Sequence, residues 1–237
     1  MVASMKTEGN KLNNYKEGNY EQSTVAFIDI LGFKNALEDE SRARDILDTL
    51  SEVQEEITKH YSELSKTRFK GMETEIMAFS DSIVFSGSET LAIIVSLKAL
   101  RFSQLLIKKG FLCRGAIVCG NLYHKNGILF GNSFVRAYED EKNLAKYPRI
   151  ILDSQTIECL EESKCEPNDF AELIRTDKDG SKFLNILYED DDRTLKDKLC
   201  DVVQKELQKE LQKESKENSG IKQKLIWLQN EYDLVIR

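Results

Sequence analysis

Two aspartates have surroundings that make them candidates for chemistry. Asp29 is the one charged residue in the apolar run TVAFIDIL, and Asp81 lies in a Ser-Asp-Ser turn between two strand-like runs. If those two strands lie beside the first, both carboxylates reach the same point. Oxygen donors of this kind suit Mg²⁺ or Mn²⁺, which keep several water ligands and bridge to substrate phosphates. The pattern therefore predicts a divalent metal site.

A turn follows Asp29 directly and leads into a helix-like segment. Backbone N–H groups at such a turn receive phosphate beside the acid. We expect four residues to form this contact: Leu31, Gly32, Phe33 and Lys34. A simpler alternative exists for each acid taken alone, because an Asp at a strand end also caps a following helix and an Asp between serines also serves ordinary turn chemistry.

The composition limits the classes of function. With 237 residues, of which 41% are hydrophobic, the chain can bury one substantial core with an appendage. A net charge of −7 disfavours binding to nucleic acid and to anionic membranes. Five scattered cysteines without CxxC spacing and two distant histidines argue against a disulfide framework or a zinc site. A polar N-terminus, together with no uninterrupted apolar run of about 20 residues, predicts a cytoplasmic protein.

Apolar periodicity divides the chain into three parts. Residues 1–22 lack periodic apolar positions and are expected to form a disordered tail. Residues 23–189 alternate strand-like and helix-like segments, which predicts the main domain, and residues 190–237 form a charged helical extension. The order strand, helix, hairpin, helix, strand indicates an α+β fold, a ferredoxin-like sandwich with extra strands.

Several local expectations are specific enough to be checked. The segment that begins at Gly131 predicts a helix that continues up to Pro148. The repeated QKEL tetrad predicts a helix that mostly faces water, with Leu207 and Leu211 as its few apolar contacts. His124, beside a hairpin turn, is expected to be exposed.

Three segments together resemble the catalytic domains of adenylate and guanylate cyclases. FIDILGF is similar to the F-x-D-I-x-G-F signature of the family's first metal-binding strand, and FSDSIVF stands at its metal-binding hairpin. RGAIVCG followed by GNSFVRAYEDE is similar to a third strand and helix pattern, and the three agree in order and spacing over about residues 24–153. The resemblance implies two Mg²⁺ or Mn²⁺ ions per site, held by Asp29, Asp81 and the backbone carbonyl of Ile30.

The sequence departs from the family at positions that bind the nucleotide. Val135 and Glu139 stand where the family has the asparagine that orients the ribose and the arginine that stabilises the transition state. Met77 replaces the lysine that reads the base, and Ile128 begins the stretch in which the family has Asp or Thr. Met77, Phe79 and Ile128 are therefore candidates for a base pocket without the usual polar purine contacts.

These departures resemble a narrower group, the pyrimidine cyclases of the bacterial Pycsar antiphage systems, which make cyclic UMP or cyclic CMP. The segment from Ala137 to Ile150 carries the pattern A-Y-x-x-E-x-x-x-A-x-Y-P-R-I of that group. This resemblance implies UTP or CTP as substrate, a homodimer with two composite sites, and a product that a separate effector protein senses.

Some features of the predicted enzyme stay open. Arg114 and Arg149 are candidate contacts to phosphate or to the transition state, and a structural ion pair is the alternative for both. A purine cyclase and a catalytically inactive nucleotide-binding domain are the alternative functions. A diguanylate cyclase relative is disfavoured because the chain has no G-G-[DE]-E-F hairpin.

Overall fold

The strands form a single mixed sheet. The computed structural model describes residues 20–65, 74–162, 172–189, 193–212 and 219–234. The strand order is β2-β3-β1-β4-β6-β8-β7, and β5 pairs with β4 outside this path. The strands are β1 (Glu21–Leu31), β2 (Thr74–Phe79), β3 (Ser82–Ser88), β4 (Leu112–Lys125), β5 (Ile128–Gly131), β6 (Ile150–Leu152), β7 (Ile174–Thr176) and β8 (Lys182–Leu184).

The helices follow the strands in a βαββαβ order over the first half of the chain. They are α1 (Phe33–Leu37), α2 (Glu40–Ser65), α3 (Ala92–Lys108), α4 (Asn132–Asn143), α5 (Ser154–Glu162), α6 (Thr194–Gln212) and α7 (Ser219–Glu231). Strand β1 lies between β3 and β4 and is antiparallel to both, whereas β6 is parallel to β4. The predicted α+β fold is confirmed, and the helix-like region after β1 consists of two helices.

Each face of the sheet has its own core. On one face, Ile28 of β1 and Phe85 of β3 are fully buried with α3, whose Phe102 contacts Phe85 with ring centroids 6.0 Å apart. On the other face, a smaller cluster packs under α4 and contains Val25, Phe27, Val84, Val118, Leu122 and Ala137. Because side chains alternate along a strand, Asp29 shares this second face with Phe27.

The apolar helix α3 is a core helix. Together with the preceding turn, the segment Glu89–Lys108 is long and apolar enough to cross a membrane, but 72% of its most apolar stretch is buried inside the protein. Burial of this kind accounts for its hydrophobicity, since a helix that is apolar all round is either a core helix or a membrane span.

Helix α4 ends earlier than the sequence predicts. It stops at Asn143, and the amides of both Leu144 and Ala145 donate to the carbonyl of Asp140, at 2.8 and 3.0 Å. The second of these bonds is the longer-range bond that terminates a helix. Ala145 is fully buried, so its packing turns the chain into the core before Pro148 is reached.

Two further expectations need correction. In the charged repeat of α6, Leu207 packs against the core as expected, but Leu211 is 70% exposed. The helix begins ahead of the repeat, and its first half anchors it through the buried Leu195 and Leu199. His124 is buried, because it points to the α4 face of β4, where its Nδ1 lies 2.7 Å from the Ser86 hydroxyl oxygen. This burial lowers the pKa of His124.

The described structure begins at residue 20 and includes the two C-terminal helices. Residues 1–19 of the predicted tail lie outside the described residues, and β1 begins at Glu21. The C-terminal helices are not a separate core: Leu199 and Val203 of α6 and Leu225 and Leu228 of α7 belong to the same buried cluster as the sheet.

Candidate active site

A row of polar and aromatic residues crosses four strands at one end of the sheet. Phe79 of β2 pairs with Ser82 of β3, Ser82 pairs with Asp29 of β1, and Asp29 pairs with Arg114 of β4. Residues paired across neighbouring strands point to the same face of a sheet. Asp29 and Arg114 therefore stand side by side on the face that α4 covers in part.

The β2–β3 hairpin carries Asp81 to the same place. Its turn consists of Ser80, in the left-handed conformation at φ 56°, and Asp81. The carbonyl of Asp81 accepts a hydrogen bond of 2.8 Å from the amide of Ile30, the residue after Asp29. The N–H and C=O of a strand residue point to the same neighbour, so the Ile30 carbonyl also faces the hairpin. The structure thus brings together the two acids that the sequence singled out.

A second carboxylate pairs with Arg114. Arg114 Nε lies 3.6 Å from Asp29 Oδ2 and 2.5 Å from Oε1 of Glu141, which is on α4. Glu141 is almost fully buried, whereas about a fifth of the side chains of Asp29 and Arg114 remains exposed. The Arg114–Glu141 contact lacks hydrogen-bond alignment. Two carboxylates therefore share one arginine, and the charge of Asp81 acts on Asp29 as well.

The pKa values of Asp29 and Glu141 reflect their burial and the charges around them. Burial raises the pKa of Asp29, Arg114 opposes the rise, and the charge of Asp81 adds to it. Burial likewise raises the pKa of Glu141 to about 7, against the effect of Arg114 and with the effect of Asp29. An added cation would lower the pKa of both acids, because a nearby positive charge favours the ionised carboxylate.

The acid set fits a divalent ion that keeps most of its water. No group of three or more His, Cys, Asp or Glu side chains that could cage a metal occurs among the described residues. Asp29, Asp81 and the Ile30 carbonyl instead form an open set of oxygen donors. Mg²⁺ is usually held by one or two carboxylates together with waters and substrate phosphates, so these donors suit it.

The turn after β1 has the backbone geometry of a glycine position. Gly32 has φ +76°, a left-handed conformation, and it caps α1 without a side-chain hydrogen bond. Its carbonyl accepts a bond of 3.1 Å from Ala36. Of the other turn residues, Leu31 and Phe33 are half-buried and Lys34 is exposed. The turn therefore adjoins Asp29 and stays open on one side.

Arg149 belongs to a separate cluster. Its side chain is 1% exposed, and its two terminal nitrogens pair with Asp177 and, at 2.7 Å, with Asp179. The guanidinium also lies over three aromatic rings, with centroid distances of 5.3–5.8 Å: Tyr147, Phe183 and Trp227. These contacts hold Arg149 within the core.

Of the candidate base-pocket residues, Met77 and Phe79 lie on this face, whereas Ile128 pairs with Lys125 at the end of β4 far from Arg114. Met77 and Phe79 are two residues apart on β2, and Phe79 lies 6.3 Å from the ring of Phe27. Ile128, at the end of the β4–β5 hairpin, is 56% exposed. Val135 and Glu139 are both exposed on the outer side of α4.

The sequence reasoning missed Glu141 as a site residue. The signal was present, because the buried residues of α4 recur every four positions: Ser133, Ala137 and Glu141. That spacing places all three on the helix face that packs on the sheet. An acid on such a face is costly unless it has a partner, and Arg114 is that partner.

The comparisons with known proteins match fold rather than sequence. No protein-family model matches the chain, and no curated protein matches it. The adenylyl cyclase CyaB from P. aeruginosa is 13% identical, covers 69% of this chain and 93% of its own, and has a TM-score of 0.47. The guanylyl cyclase domain of the RhoGC fusion protein from the aquatic fungus Blastocladiella emersonii is 17% identical, with coverages of 70% and 94% and a TM-score of 0.43. A bacterial light-regulated adenylyl cyclase is 11% identical, with coverages of 77% and 98% and a TM-score of 0.44. Similarities this distant decide neither activity nor substrate.

Proposed function

We propose that the protein is a metal-dependent nucleotidyl cyclase that converts UTP or CTP to the 3′,5′-cyclic monophosphate and pyrophosphate. One observation carries the proposal. The hydrogen bond from the Ile30 amide to the Asp81 carbonyl fixes the hairpin beside Asp29, next to the Gly32 turn. Two acids far apart in the chain thereby meet at a place where phosphate could bind.

The residues of the site have distinct tasks in this reaction. The ribose 3′-oxygen must attack the α-phosphorus in line while pyrophosphate leaves. Bound Mg²⁺ or Mn²⁺, two per site, would acidify the 3′-hydroxyl and neutralise the triphosphate. Asp29, Asp81 and the Ile30 carbonyl hold the ions, which requires both carboxylates to be ionised. Arg114 keeps the Asp29 carboxylate in place from the other side, at 3.6 Å.

A second copy of the chain fits the open part of this face. Exposed apolar side chains lie on the Asp29 face on β2 and on α4: Phe79, Val135 and Tyr138. Tyr138 and Phe79 both contact Phe27, so they adjoin the small core beneath α4. Large apolar patches mark interaction surfaces. They support a homodimer in which each site is built from two copies.

The preference for a pyrimidine rests on the side chains that replace the family's base readers. Met77 and Ile128 offer no hydrogen-bond donor or acceptor to a purine edge. With the resemblance to the Pycsar cyclases, they favour UTP or CTP. The same resemblance supports a cytoplasmic second-messenger synthase in antiphage defence, whose product a separate effector protein senses.

One observation favours a second candidate, a nucleotide-binding domain without catalysis. Val135 and Glu139 replace the asparagine and arginine on which the cyclases depend, and both are exposed on α4. Such a domain would bind a nucleoside triphosphate with metal and form no cyclic product. A purine cyclase is the third alternative, and the same assay separates it.

The test is incubation of the pure protein with each of the four nucleoside triphosphates and Mn²⁺, with products identified by mass spectrometry. We expect cyclic UMP or cyclic CMP from the wild type and at least a hundredfold less from Asp29→Ala and Asp81→Ala. Asp48→Ala, an exposed acid on α2, is the matched control and should keep the wild-type rate. Product from either site variant at the wild-type rate would remove the metal assignment.

A further inference from the structure

A cavity of about 470 Å³ joins the Gly32 turn to the C-terminal helices. Its floor is apolar and includes Phe111 and Leu225, and one wall is formed by Leu31 and Gly32. Its charged lining comes from α2, α6 and α7: Arg42, Glu206, Lys209, Glu210 and Lys224. The cavity therefore places basic side chains of distant segments opposite the turn that follows Asp29.

Lys224 differs from the other charges of this lining. Lys209 is neutralised by Glu206, at 2.5 Å, and Arg42 lies over the Phe111 ring, 4.6 Å from its centroid. Lys224 is half-buried, yet its ammonium makes no hydrogen bond or ion pair with any residue that the structure describes. Asp29 and Glu141 act on this ammonium only from beyond ion-pair distance, so a directly contacting anion would stabilise it further.

Lys224 also lies within reach of the acid cluster. Its charge lowers the pKa of both Asp29 and Glu141. Burial lowers the pKa of Lys224 itself, and Arg114 adds to the effect while Glu141 and Asp29 oppose it. Lys224 thus lines the cavity beside Gly32 and acts electrostatically on Asp29, one of the proposed metal ligands.

The position of Lys224 is fixed by the residues that follow it on α7. Trp227, one turn later, stacks on Tyr147 with ring centroids 5.0 Å apart and donates its indole N–H to Asp177 at 2.8 Å. Leu225 and Leu228 are buried in the main core. A side chain on a helix anchored at three points is preorganised, which reduces the entropy lost on binding.

We propose that Lys224 binds the β- and γ-phosphates of the nucleotide, so that the C-terminal helix supplies a cation to the site of its own chain. This assignment rests on the proposed function. The phosphates would enter the cavity between the Gly32 turn and Lys224, with the metal ions on the Asp29 side. A charge-assisted contact to phosphate is among the stronger hydrogen bonds of proteins, and it gives the half-buried ammonium the partner it lacks.

The test measures the binding of inorganic tripolyphosphate with Mn²⁺ by calorimetry, together with KM and kcat for the preferred triphosphate. Lys224→Met should raise the dissociation constant and KM roughly ten- to a hundredfold, the range of one hydrogen bond to a charged group. Lys224→Arg should restore most of the affinity. Lys222→Met, an exposed lysine on the same helix, removes the same charge and should bind as the wild type does.

The outcomes separate this assignment from the proposed function. The assignment is overturned if the wild type binds no tripolyphosphate, if Lys224→Met binds it as tightly as the wild type, or if Lys222→Met weakens it equally. If the wild type forms no cyclic product but Lys224→Met still weakens tripolyphosphate binding, the phosphate contact stands and the cyclase activity is excluded. Unfolding curves check that each variant is folded.

Discussion

Arg114 and Arg149 lie close together and pair with carboxylates in opposite ways. The amide of Gly115 donates to the carbonyl of Arg149 at 3.0 Å, so the two clusters meet on neighbouring strands. Arg149 is enclosed by two acids and three aromatic rings, and its hydrogen bonds lower the pKa of Asp179 to about 2. At Arg114 the pKa values of both partner acids are raised.

The difference separates a structural cluster from a binding site. Around Arg149 each of the two carboxylates is paired with a terminal nitrogen of the guanidinium. Around Arg114 two acids, Asp29 and Glu141, share one guanidinium, and burial penalises the charge that remains. Acid groups whose pKa values are displaced by burial and by like charges are common at functional sites. The contrast favours the Asp29 cluster as the place of the proposed chemistry and the Arg149 cluster as the support of α7.

The largest expected effect comes from disrupting the Arg149 cluster. Arg149→Met should lower the free energy of unfolding by about 3–5 kcal/mol, because it leaves Asp177 buried without its cation. Arg114→Met should cost clearly less at pH 6, because its partner acids, whose pKa values are already raised, can take up protons. Urea unfolding of both variants measures the difference. Equal losses would contradict the distinction between the two clusters.

The next largest effect concerns the Arg114 cluster and is a dependence of the unfolding free energy on pH. Burial raises the pKa of Glu141 from 4.5 to about 7, so the folded protein holds a proton that the unfolded chain releases. This contribution to stability is complete below pH 4.5 and is lost as the pH rises through about 7. Relative to Glu141→Gln, the wild type should lose on the order of 3 kcal/mol across that window.

Unfolding in urea at several pH values between 4.5 and 8 measures this effect. Glu139→Gln, an exposed acid on the same helix, is the control and should follow the wild type. If the unfolding free energies of the wild type and of Glu141→Gln depend on pH in the same way, the pKa of Glu141 is not raised in the folded protein. The excess of acid at Arg114 would then be absent.

The smallest expected effect tests whether the Arg149 cluster holds α7 in place. Trp227→Phe removes the indole N–H that bonds to Asp177 and keeps part of the stack on Tyr147. We expect a loss of about 1–2 kcal/mol of unfolding free energy, because Asp177 keeps its bond to Arg149. Tripolyphosphate binding should weaken in parallel, since Trp227 positions the helix that carries Lys224. An unchanged unfolding curve would show that the indole does not hold the helix.

The sequence was informative where a residue conflicts with its surroundings. The positions of Asp29, in an apolar strand, and of Asp81, at a hairpin turn, could be predicted. The order of strands and turns indicates that both acids lie at the same end of the sheet. The hairpin turns and the α+β fold follow from local patterns of the same kind. Arg114 and Arg149 could not be told apart, since their acids come from α4 and from the β7–β8 turn, and only packing decides which arginine meets which.

The spacing of Glu141 on α4 was visible in the sequence, but the partners of Glu141 and of Lys224 were not. The burial of Glu141 depends on how closely α4 approaches β4, and α4 proved shorter than its periodicity indicated. Lys224 reaches the site only because α7 packs against the core through Leu225, Leu228 and Trp227. Charged residues on an amphipathic helix give no local sign of what lies across from them.

The central claim is that Asp29 and Asp81 hold the same cation, and Mn²⁺ binding followed by electron paramagnetic resonance tests it most directly. The account predicts that Asp29→Ala and Asp81→Ala each weaken Mn²⁺ binding in the presence of tripolyphosphate at least tenfold, while the exposed control Asp48→Ala leaves it unchanged. If Asp81→Ala binds Mn²⁺ as the wild type does while Asp29→Ala does not, the two acids do not share an ion and the account is contradicted.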